Sequence, residues 1–328
     1  MDNYRVLVTG GAGFIGSHVV DALLANGAGL VRVLDDFSNG QRANLTHHLN
    51  NPRLEILEGC ITDATICDRA CAGITHVCHQ AALGSVPRSL AQPERFMQVN
   101  VVGFGNMLEA ARKRGIRRVV FASSSSVYGD EPHLPKREDR AGQPLSPYAL
   151  TKQINEQQAA LWSRLYGLET IGLRYFNVFG PRQRPDGPYA ALIPRLLEAA
   201  RLGHSPTLFG DGEQSRDFTF VANVVQANLL ALTTQNQAAL GKVFNIATGQ
   251  CVSLNAAWAN VQATTGYIGP PNYAPERPGD IRHSLATIEK AEQLLGYKAM
   301  IGFEEGIVLC RQTVTVGQLG NGQKFDEL

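Results

Sequence analysis

The sequence predicts an α/β fold, in which a doubly wound parallel β-sheet is followed by a smaller α/β lobe. Two observations carry this prediction. Short apolar, β-branched runs alternate with longer amphipathic segments through the first half, and beyond Gly180 prolines punctuate shorter segments. Strands that alternate with helices favour a parallel sheet covered on both faces. With 328 residues, 44% of them apolar, the chain can bury a sizeable core.

The elements of the first half follow in order along the chain. The apolar runs predict strands over residues 5–9, 30–34, 54–58, 76–79, 118–122 and 170–175. Helical periodicity predicts helices over residues 14–25, 96–113 and 147–166. Ser146 suits the N-cap of the last of these helices, and Pro147 suits its first turn.

The change of texture also predicts how the chain divides. We expect a dinucleotide-binding domain over residues 1–178, with segments at about 211–250 returning to its sheet. Residues 179–210 and 251–313 would form the smaller lobe. Residues 314–328 are rich in glycine and polar residues, and we expect a disordered tail there.

Composition excludes several classes of function. A net charge of +1 offers no electrostatic footprint for nucleic acid or an anionic membrane surface. No apolar run is long enough to span a bilayer. We also expect no signal peptide, because no basic region followed by an apolar core comes before the first predicted strand. The cysteines lack metal-site spacing, so we expect buried, reduced thiols and a cytoplasmic protein. The histidines at 47, 48, 76 and 79 show no ligand spacing either, and we predict no metal site.

A glycine-rich turn joins the first strand to the first helix. Gly10 suits the tight turn, Gly13 lets the backbone approach a pyrophosphate, and Gly16 permits close helix packing. Asp35 lies at the end of the second strand, 19 residues beyond Gly16, where a carboxylate accepts hydrogen bonds from ribose hydroxyls. The same charge repels a 2′-phosphate. The pattern predicts a Rossmann-type domain that binds NAD in preference to NADP.

Tyr148 and Lys152 are the candidate catalytic pair. Residues four apart lie on one helical face, where the ammonium would lower the phenol pKa from its usual value of about 10. Such a tyrosine can act as a general base near neutral pH. Ser124, at the end of a predicted strand, would hydrogen-bond the reacting oxygen. Asn100 would either hold the loop after the fourth strand or contact the cofactor.

These motifs together resemble those of the extended short-chain dehydrogenase/reductases, and within them the nucleotide-sugar 4-epimerases. The resemblance covers about residues 5–306. Its more specific parts are LRYFNVFGPRQ at 173–183, GDGEQSRDF at 210–218 and RPGD at 277–280. It implies that Asn177, Arg216, Arg277 and Asp280 hold a UDP moiety, with the arginines on the pyrophosphate.

The resemblance also implies two sets of site residues. The cofactor set comprises Gly10, Gly13, Phe14, Ile15, Gly16, Asp35, Asp36, Asn39, Gly40, Ile61, Asp63, Gln80, Ala81, Ala82, Asn100, Tyr148, Lys152 and Tyr175. The substrate set comprises Gly84, Ser85, Ser124, Ser125, Asn177, Gln183, Ala191, Leu192, Thr207, Phe209, Arg216, Arg277, Asp280 and Ser284. The chain departs from the family at Cys60, where the family carries an aspartate that bonds adenine. We therefore expect NAD to be held less tightly than usual.

The finer resemblance is to epimerases that accept N-acetylated UDP-hexoses. Segments 79–89 and 188–194 match that subgroup, and Ser284 stands where its members carry a small residue. The implied activity is NAD-dependent 4-epimerisation, through a transient 4-keto sugar, of UDP-N-acetylglucosamine and UDP-N-acetylgalactosamine. Activity on UDP-glucose and UDP-galactose is compatible, because an open pocket need not exclude smaller sugars.

Other functions stay open. A UDP-glucuronate 4-epimerase would use an arginine of segment 182–186 on the carboxylate. A 4,6-dehydratase or another nucleotide-sugar reductase ranks lower, because no carboxylate follows Ser124 where dehydratases carry their acid/base pair. A non-catalytic NAD-binding protein would have no use for Ser124, Tyr148 and Lys152 together. The family resemblance also implies a homodimer, formed through the helices predicted at 96–113 and 147–166.

Overall fold

The structure is a computed structural model that describes residues 1–185, 191–276 and 281–320. Within these residues, seven strands form one parallel sheet. They are β1 Arg5–Thr9, β2 Leu30–Asp35, β3 Leu54–Glu58, β4 His76–His79, β5 Arg118–Ser124, β6 Glu169–Tyr175 and β11 Lys242–Ile246. Their order across the sheet is β11-β6-β5-β4-β1-β2-β3. The parallel sheet confirms the predicted fold class. The strand order reverses between β1 and β4, where ligands bind in open parallel sheets.

Helices cover both faces of this sheet. The helices of the described residues, including those of the smaller lobe, are α1 Phe14–Ala25, α2 Ala64–Cys71, α3 Val86–Ala91, α4 Pro93–Phe96, α5 Gly103–Lys113, α6 Pro147–Tyr166, α7 Leu192–Leu202, α8 Val221–Thr233, α9 Leu254–Thr265, α10 Glu289–Leu295 and α11 Phe303–Gly320. One face packs on α1 and α8 through residues such as Val19 and Val224. The other packs on α2 and α5 through Cys67, Phe104 and Met107. Burial of these apolar faces fixes the sheet between two helical layers.

The predicted helix over 96–113 is not one regular helix. Between α4 and α5 lies a π-helical segment, Met97–Val102, that contains the buried side chain of Asn100. The Asn100 Oδ1 accepts from the Leu83 backbone N–H at 2.9 Å, and its Nδ2 donates to the Leu83 carbonyl at 3.1 Å and to Thr151 Oγ1 at 3.1 Å. Asn100 therefore holds the loop after β4, one of its two predicted roles. π-helical turns occur frequently at functional sites.

The smaller lobe has its own apolar core. Phe179, Trp258 and Phe303 lie at its centre, packed by α7, α9 and α11. Its strands form two-stranded pairs, with β7 Val178–Phe179 beside β10 Thr219–Phe220, β8 Thr207–Phe209 beside β13 Asn272–Ala274, and β9 Ser215–Arg216 beside β12 Val252–Ser253. In the chain, β11 lies between β10 and β12, and it returns to the main sheet beside β6. The boundaries of the two domains stay a prediction.

One expectation from the sequence needs revision. Cys67, Cys71, Cys78 and Cys310 are buried free thiols, but Cys251, in the loop that precedes β12, is exposed. The last helix extends to Gly320, residues 321–328 lie outside the described part, and the disordered tail stays a prediction.

Among the residues the structure describes, no helix combines the length and apolar character needed to cross a membrane.

Candidate active site

A cavity of about 670 Å³ lies at the carboxyl ends of the strands, between the sheet and the smaller lobe. The glycine turn, Asp35 and Gln80 line its sheet side. Asn177, Arg216 and Ser284 line its lobe side, and Ser124, Tyr148 and Lys152 lie between. The cavity therefore brings together residues from both predicted sets.

The glycine turn provides a place for a pyrophosphate. A Cβ at Gly16 would lie 2.1 Å from the carbonyl oxygen of Gly10, so glycine is needed for α1 to start this close to β1. The N-cap of α1 is Gly13, which has no side chain to cap the first turn. The backbone N–H groups of that turn thus meet the cavity beside the positive end of the helix dipole. This arrangement favours an anionic ligand.

Asp35 is buried at the end of β2 and faces the cavity. Its carboxylate accepts from the backbone N–H of Ala12 and of Phe37, both at 2.9 Å, while burial raises its pKa. A Cβ at Gly40 would lie 2.8 Å from both carboxylate oxygens, so this glycine keeps the space beside them open. The remaining lone pairs can accept from ribose hydroxyls, and the buried charge opposes a phosphate there. These residues fit NAD.

Cys60 is the position at which the sequence departs from the family. It lies just after β3 and lines the cavity. Thr62 Oγ1 donates to its sulfur at 3.2 Å. Despite partial burial, hydrogen bonds from Ser38 and from the Cys60 thiol lower the pKa of Asp36. Asp63, predicted to bind the cofactor, instead caps α2 by accepting from the backbone N–H groups of Thr65 and Ile66. The capping bonds use Oδ1 of this carboxylate, and a cofactor contact of Asp63 stays a prediction.

The catalytic pair lies at the start of α6. Ser146 caps the helix by accepting from the Ala149 N–H at 3.1 Å, and Pro147 occupies the first turn, as predicted. Lys152 is only 3% exposed, and its Nζ donates to the Ala122 carbonyl at 2.8 Å. Burial lowers the pKa of Lys152 to about 8. Both side chains reach the cavity beside Ser124 at the end of β5.

Tyr148 differs from the electrostatic prediction. Burial raises the pKa of its phenol, and a hydrogen bond with Ser124 opposes that rise. We expected Lys152 to lower this pKa, but the opposing interaction comes from Ser124, and the Lys152 ammonium donates its hydrogen bond to the Ala122 carbonyl. Ser124 also accepts from the N–H of Ser126 at 3.2 Å, which holds its hydroxyl at the cavity.

Glu156 is a residue near the site that the motifs do not identify. It lies one helical turn beyond Lys152, and its side chain is 14% exposed. Its carboxylate accepts from Ser123 Oγ at 2.5 Å and from Arg174 Nε and Nη2 at 2.9 and 2.8 Å. It also opposes the effect of burial on Lys152, raising the pKa of that ammonium. The i,i+4 spacing from Lys152 was the available sequence signal.

The predicted substrate residues fall into two adjoining cavities. Gly84, Ser124, Ser125 and Ser284 line the large one. Ala191, Leu192, Thr207 and Phe209 line a neighbouring cavity of about 260 Å³. Asn177 and Arg216 border both, so the two cavities are joined along these side chains. Arg277, Asp280 and the segment 188–190 lie outside the described residues.

Two predicted substrate residues make contacts within the protein, and their binding of substrate stays a prediction. Ser85 caps α3 by accepting from the Arg88 N–H at 3.3 Å. Gln183 donates to the Val178 carbonyl at 3.0 Å and borders another cavity, of about 180 Å³, behind the turn that contains Arg182. Sequence position alone cannot tell on which side of a turn a side chain lies.

Comparisons with known proteins agree with this arrangement. A sequence model of the NAD-dependent epimerase/dehydratase family matches residues 6–247. A putative UDP-glucose 4-epimerase of Methanocaldococcus jannaschii is 39% identical over 92% of this chain and 95% of its own. The UDP-glucose 4-epimerase of Thermotoga maritima, solved with UDP-glucose, superposes with a TM-score of 0.89 at 36% identity over 96% of this chain and 99% of its own. The UDP-N-acetylglucosamine 4-epimerase of Methanobrevibacter ruminantium, solved with UDP-N-acetylmuramic acid, gives 0.91 at 37% identity over 97% and 100%.

Proposed function

The chain belongs to the NAD-dependent epimerase/dehydratase family, and on that premise we propose that it inverts C4 of a UDP-hexose. Its cofactor is NAD. The observation that carries this proposal is a single cavity containing Ser124, Tyr148 and Lys152 together with Asn177 and Arg216. A general base beside a dinucleotide site supports oxidation of a secondary alcohol, and the adjoining cavity gives a nucleotide tether room to bind.

In the proposed reaction, Tyr148 as phenolate accepts the proton of the sugar 4-hydroxyl. Ser124 donates a hydrogen bond to the same oxygen and orients it. NAD held by the glycine turn and Asp35 would supply the hydride acceptor for C4 and afterwards the hydride donor to the same carbon. Asn177 and Arg216 keep the UDP moiety in place while the 4-keto sugar turns to present its other face. Tyr148 then returns its proton to the oxygen, which completes inversion without net oxidation.

Lys152 has the electrostatic role in this scheme. The raised pKa of Tyr148 means that its phenolate needs a nearby cation, and a Lys152 pKa of about 8 leaves the ammonium mostly protonated at neutral pH. Its bond to the Ala122 carbonyl fixes the ammonium on the cavity side of α6. The cation stabilises the phenolate by charge, and the buried setting strengthens that interaction.

The N-acetylated hexoses are the preferred substrates in our proposal. Ser284 lines the large cavity together with Ser124 and Asn177, and its side chain is small. This supports space for an acetamido group near the sugar. A larger side chain at this position would fill that space, while a hydroxyl-bearing sugar needs less of it.

The test is to incubate purified protein, without added NAD, with UDP-N-acetylglucosamine and separately with UDP-glucose, and to separate the products. We expect conversion of the first to UDP-N-acetylgalactosamine with retained cofactor. The Ser284→Tyr variant should lower kcat/KM for the acetylated sugar at least about tenfold more than for UDP-glucose. Equal losses on both sugars would remove Ser284 from substrate selection. No turnover of either sugar, even with NAD added, would overturn the proposed reaction.

UDP-glucuronate is the second candidate substrate. Arg182 and Arg184 both line the large cavity, where a guanidinium can meet a carboxylate. The same assay with UDP-glucuronate discriminates between the two. Faster conversion of the uronic acid than of either neutral sugar would favour this alternative.

A further inference from the structure

We propose that Asp21, His47 and His48 form a binding site for a divalent transition-metal ion such as Zn²⁺. Asp21 lies on α1, and the two histidines end the 3₁₀ helix Arg42–His48. The Nε2 atoms of both histidines lie 2.9 Å from Asp21 Oδ1. The three ligand atoms are all within 4.8 Å of one another. Two imidazoles and a carboxylate are ligands that zinc prefers.

The spacing of these atoms suits an ion of this size. Ligands about 2.1 Å from a tetrahedral zinc ion lie about 3.4 Å from one another. The present separations of 2.9 Å from Oδ1 therefore need only a small outward movement. The side chains are partly exposed, at 29% for Asp21, 46% for His47 and 19% for His48, so an ion can enter and water can complete its coordination.

The surroundings of Asp21 prepare the carboxylate for such a role. Arg182 Nη2 lies 2.8 Å from Oδ2, the oxygen that the histidines leave free. Groups bonded to a ligating carboxylate orient it towards the metal. With its proton on Nδ1, each imidazole can exchange the Nε2 contact with Oδ1 for lone-pair donation from Nε2 to the ion.

The position of the cluster gives a bound ion something to stabilise. The same 3₁₀ helix carries Asn44, which lines the large cavity and donates to the Ala12 carbonyl at 2.9 Å in the glycine turn. Arg182 lines the same cavity. An ion at Asp21 would thus hold two parts of the cavity wall, the 3₁₀ helix with Asn44 and the turn with Arg182, against α1. This inference does not depend on the proposed reaction, since the ligands lie outside its catalytic residues.

The test uses full-length, tag-free protein stripped with EDTA, in a Cys251→Ser background that removes the exposed thiol. Zn²⁺ alone is titrated by calorimetry, and Co²⁺ binding is followed by its visible absorption. We expect one ion per chain and a rise in Tm with Zn²⁺. His47→Gln and His48→Gln should each weaken binding at least about tenfold. His133→Gln, at an exposed histidine paired with Glu131, is the matched control and should bind as the parent does.

Two results would overturn the inference. One is the absence of saturable Zn²⁺ binding by the parent protein. The other is equal affinity in the parent and in the double variant His47→Gln/His48→Gln, which would locate the ion elsewhere. Asp21→Asn keeps the size of the side chain and serves if a histidine variant fails to fold. It should also weaken binding, and an undiminished affinity there would count against the site.

Discussion

Tyr148 shows how much the environment of one residue decides its chemistry. Its helical spacing from Lys152 suggests a lowered pKa, but burial raises it, and only the hydrogen bond with Ser124 opposes the rise. The phenolate is therefore a form that the assembled site must stabilise, with substrate in place and Lys152 charged. Catalytic groups of this kind are often tuned only when the complex forms.

Replacing Tyr148 by Phe tests the general base. The proton acceptor is lost while the ring that faces Phe96 is kept, with centroids 6.3 Å apart. We expect turnover to fall about 10²- to 10⁴-fold with little change in Tm. Tyr166→Phe, at an exposed tyrosine on the same helix, is the control and should leave turnover unchanged. Retained activity in Tyr148→Phe would remove this residue from the chemistry.

Cys60 offers a test of cofactor affinity. An aspartate there would supply a charged acceptor at the cavity wall, and hydrogen bonds to charged groups contribute about 1.5–3 kcal/mol. Asp36 is close enough to bond the Cys60 thiol, so like-charge repulsion offsets part of this gain. We expect Cys60→Asp to tighten NAD binding by roughly tenfold or less. The test is to measure the dissociation constant of NAD by calorimetry for each variant, with Cys60→Ser as the uncharged control. Weaker binding in the aspartate variant would mean that repulsion dominates.

At the scale of one element, α6 joins catalysis to a buried ion pair. Lys152 faces the cavity, and Glu156, one turn further along, holds Arg174 on β6 and Ser123 on β5. Of the other groups around Lys152, Arg174 is bonded to Glu156, and burial lowers the pKa of His79 to about 3, so that imidazole is neutral. Glu156 is thus the anion that keeps Lys152 charged.

Glu156→Gln should therefore change the pH profile. Burial already lowers the pKa of Lys152 to about 8, and Glu156 opposes that shift. Without the charge of Glu156, the pKa of Lys152 falls further, so Lys152 loses its proton at lower pH. The alkaline limb of the profile of kcat/KM should move to lower pH. Glu156→Asp keeps the charge and should retain the limb. A uniform loss at every pH would indicate a structural role alone.

The same helix shows what a sequence can reveal about an element. The predicted range 147–166 is the observed one, because Ser146 caps its start and Gly167, at φ 69°, ends it in the left-handed region. Such signals are local. The π-helical turn around Asn100 left no comparable local signal. The contact of Glu156 with Arg174, and of Asp21 with two histidines, joins separate elements, so periodicity within one element could not predict it.

At the scale of the molecule, the parallel sheet was predictable and the lobe was less so. Alternating strands and helices determine the sheet, and its carboxyl edge gathers the glycine turn, Asp35 and Ser124 by topology. The lobe pairs β8 with β13 across a long stretch of intervening chain, and no periodic pattern records such a pairing. Its predicted substrate residues came from family resemblance, which does not state which cavity a side chain lines; Gln183, for example, lines the cavity of about 180 Å³.

Homodimerisation is the prediction that belongs to the whole molecule. Leu150, Leu161 and Leu165 on α6 are 40%, 38% and 58% exposed. Their spacings of 11 and then 4 residues place them on one helical face. Val102, in the neighbouring π-helical segment, is also 44% exposed. Apolar side chains exposed together on packed helices favour association with a second copy, since burial removes them from water.

Light scattering on purified protein tests this association. We expect a mass twice the 35.5 kDa of one chain. A glutamate within the interface would have to be buried without a partner, so Leu165→Glu should give monomers. Leu202→Glu, at a similarly exposed leucine (51%) on α7, should leave the dimer intact. A wild-type mass of one chain would show that these leucines face solvent. If both variants dissociated the dimer equally, the effect would not be specific to the α6 face, and the interface would lie elsewhere.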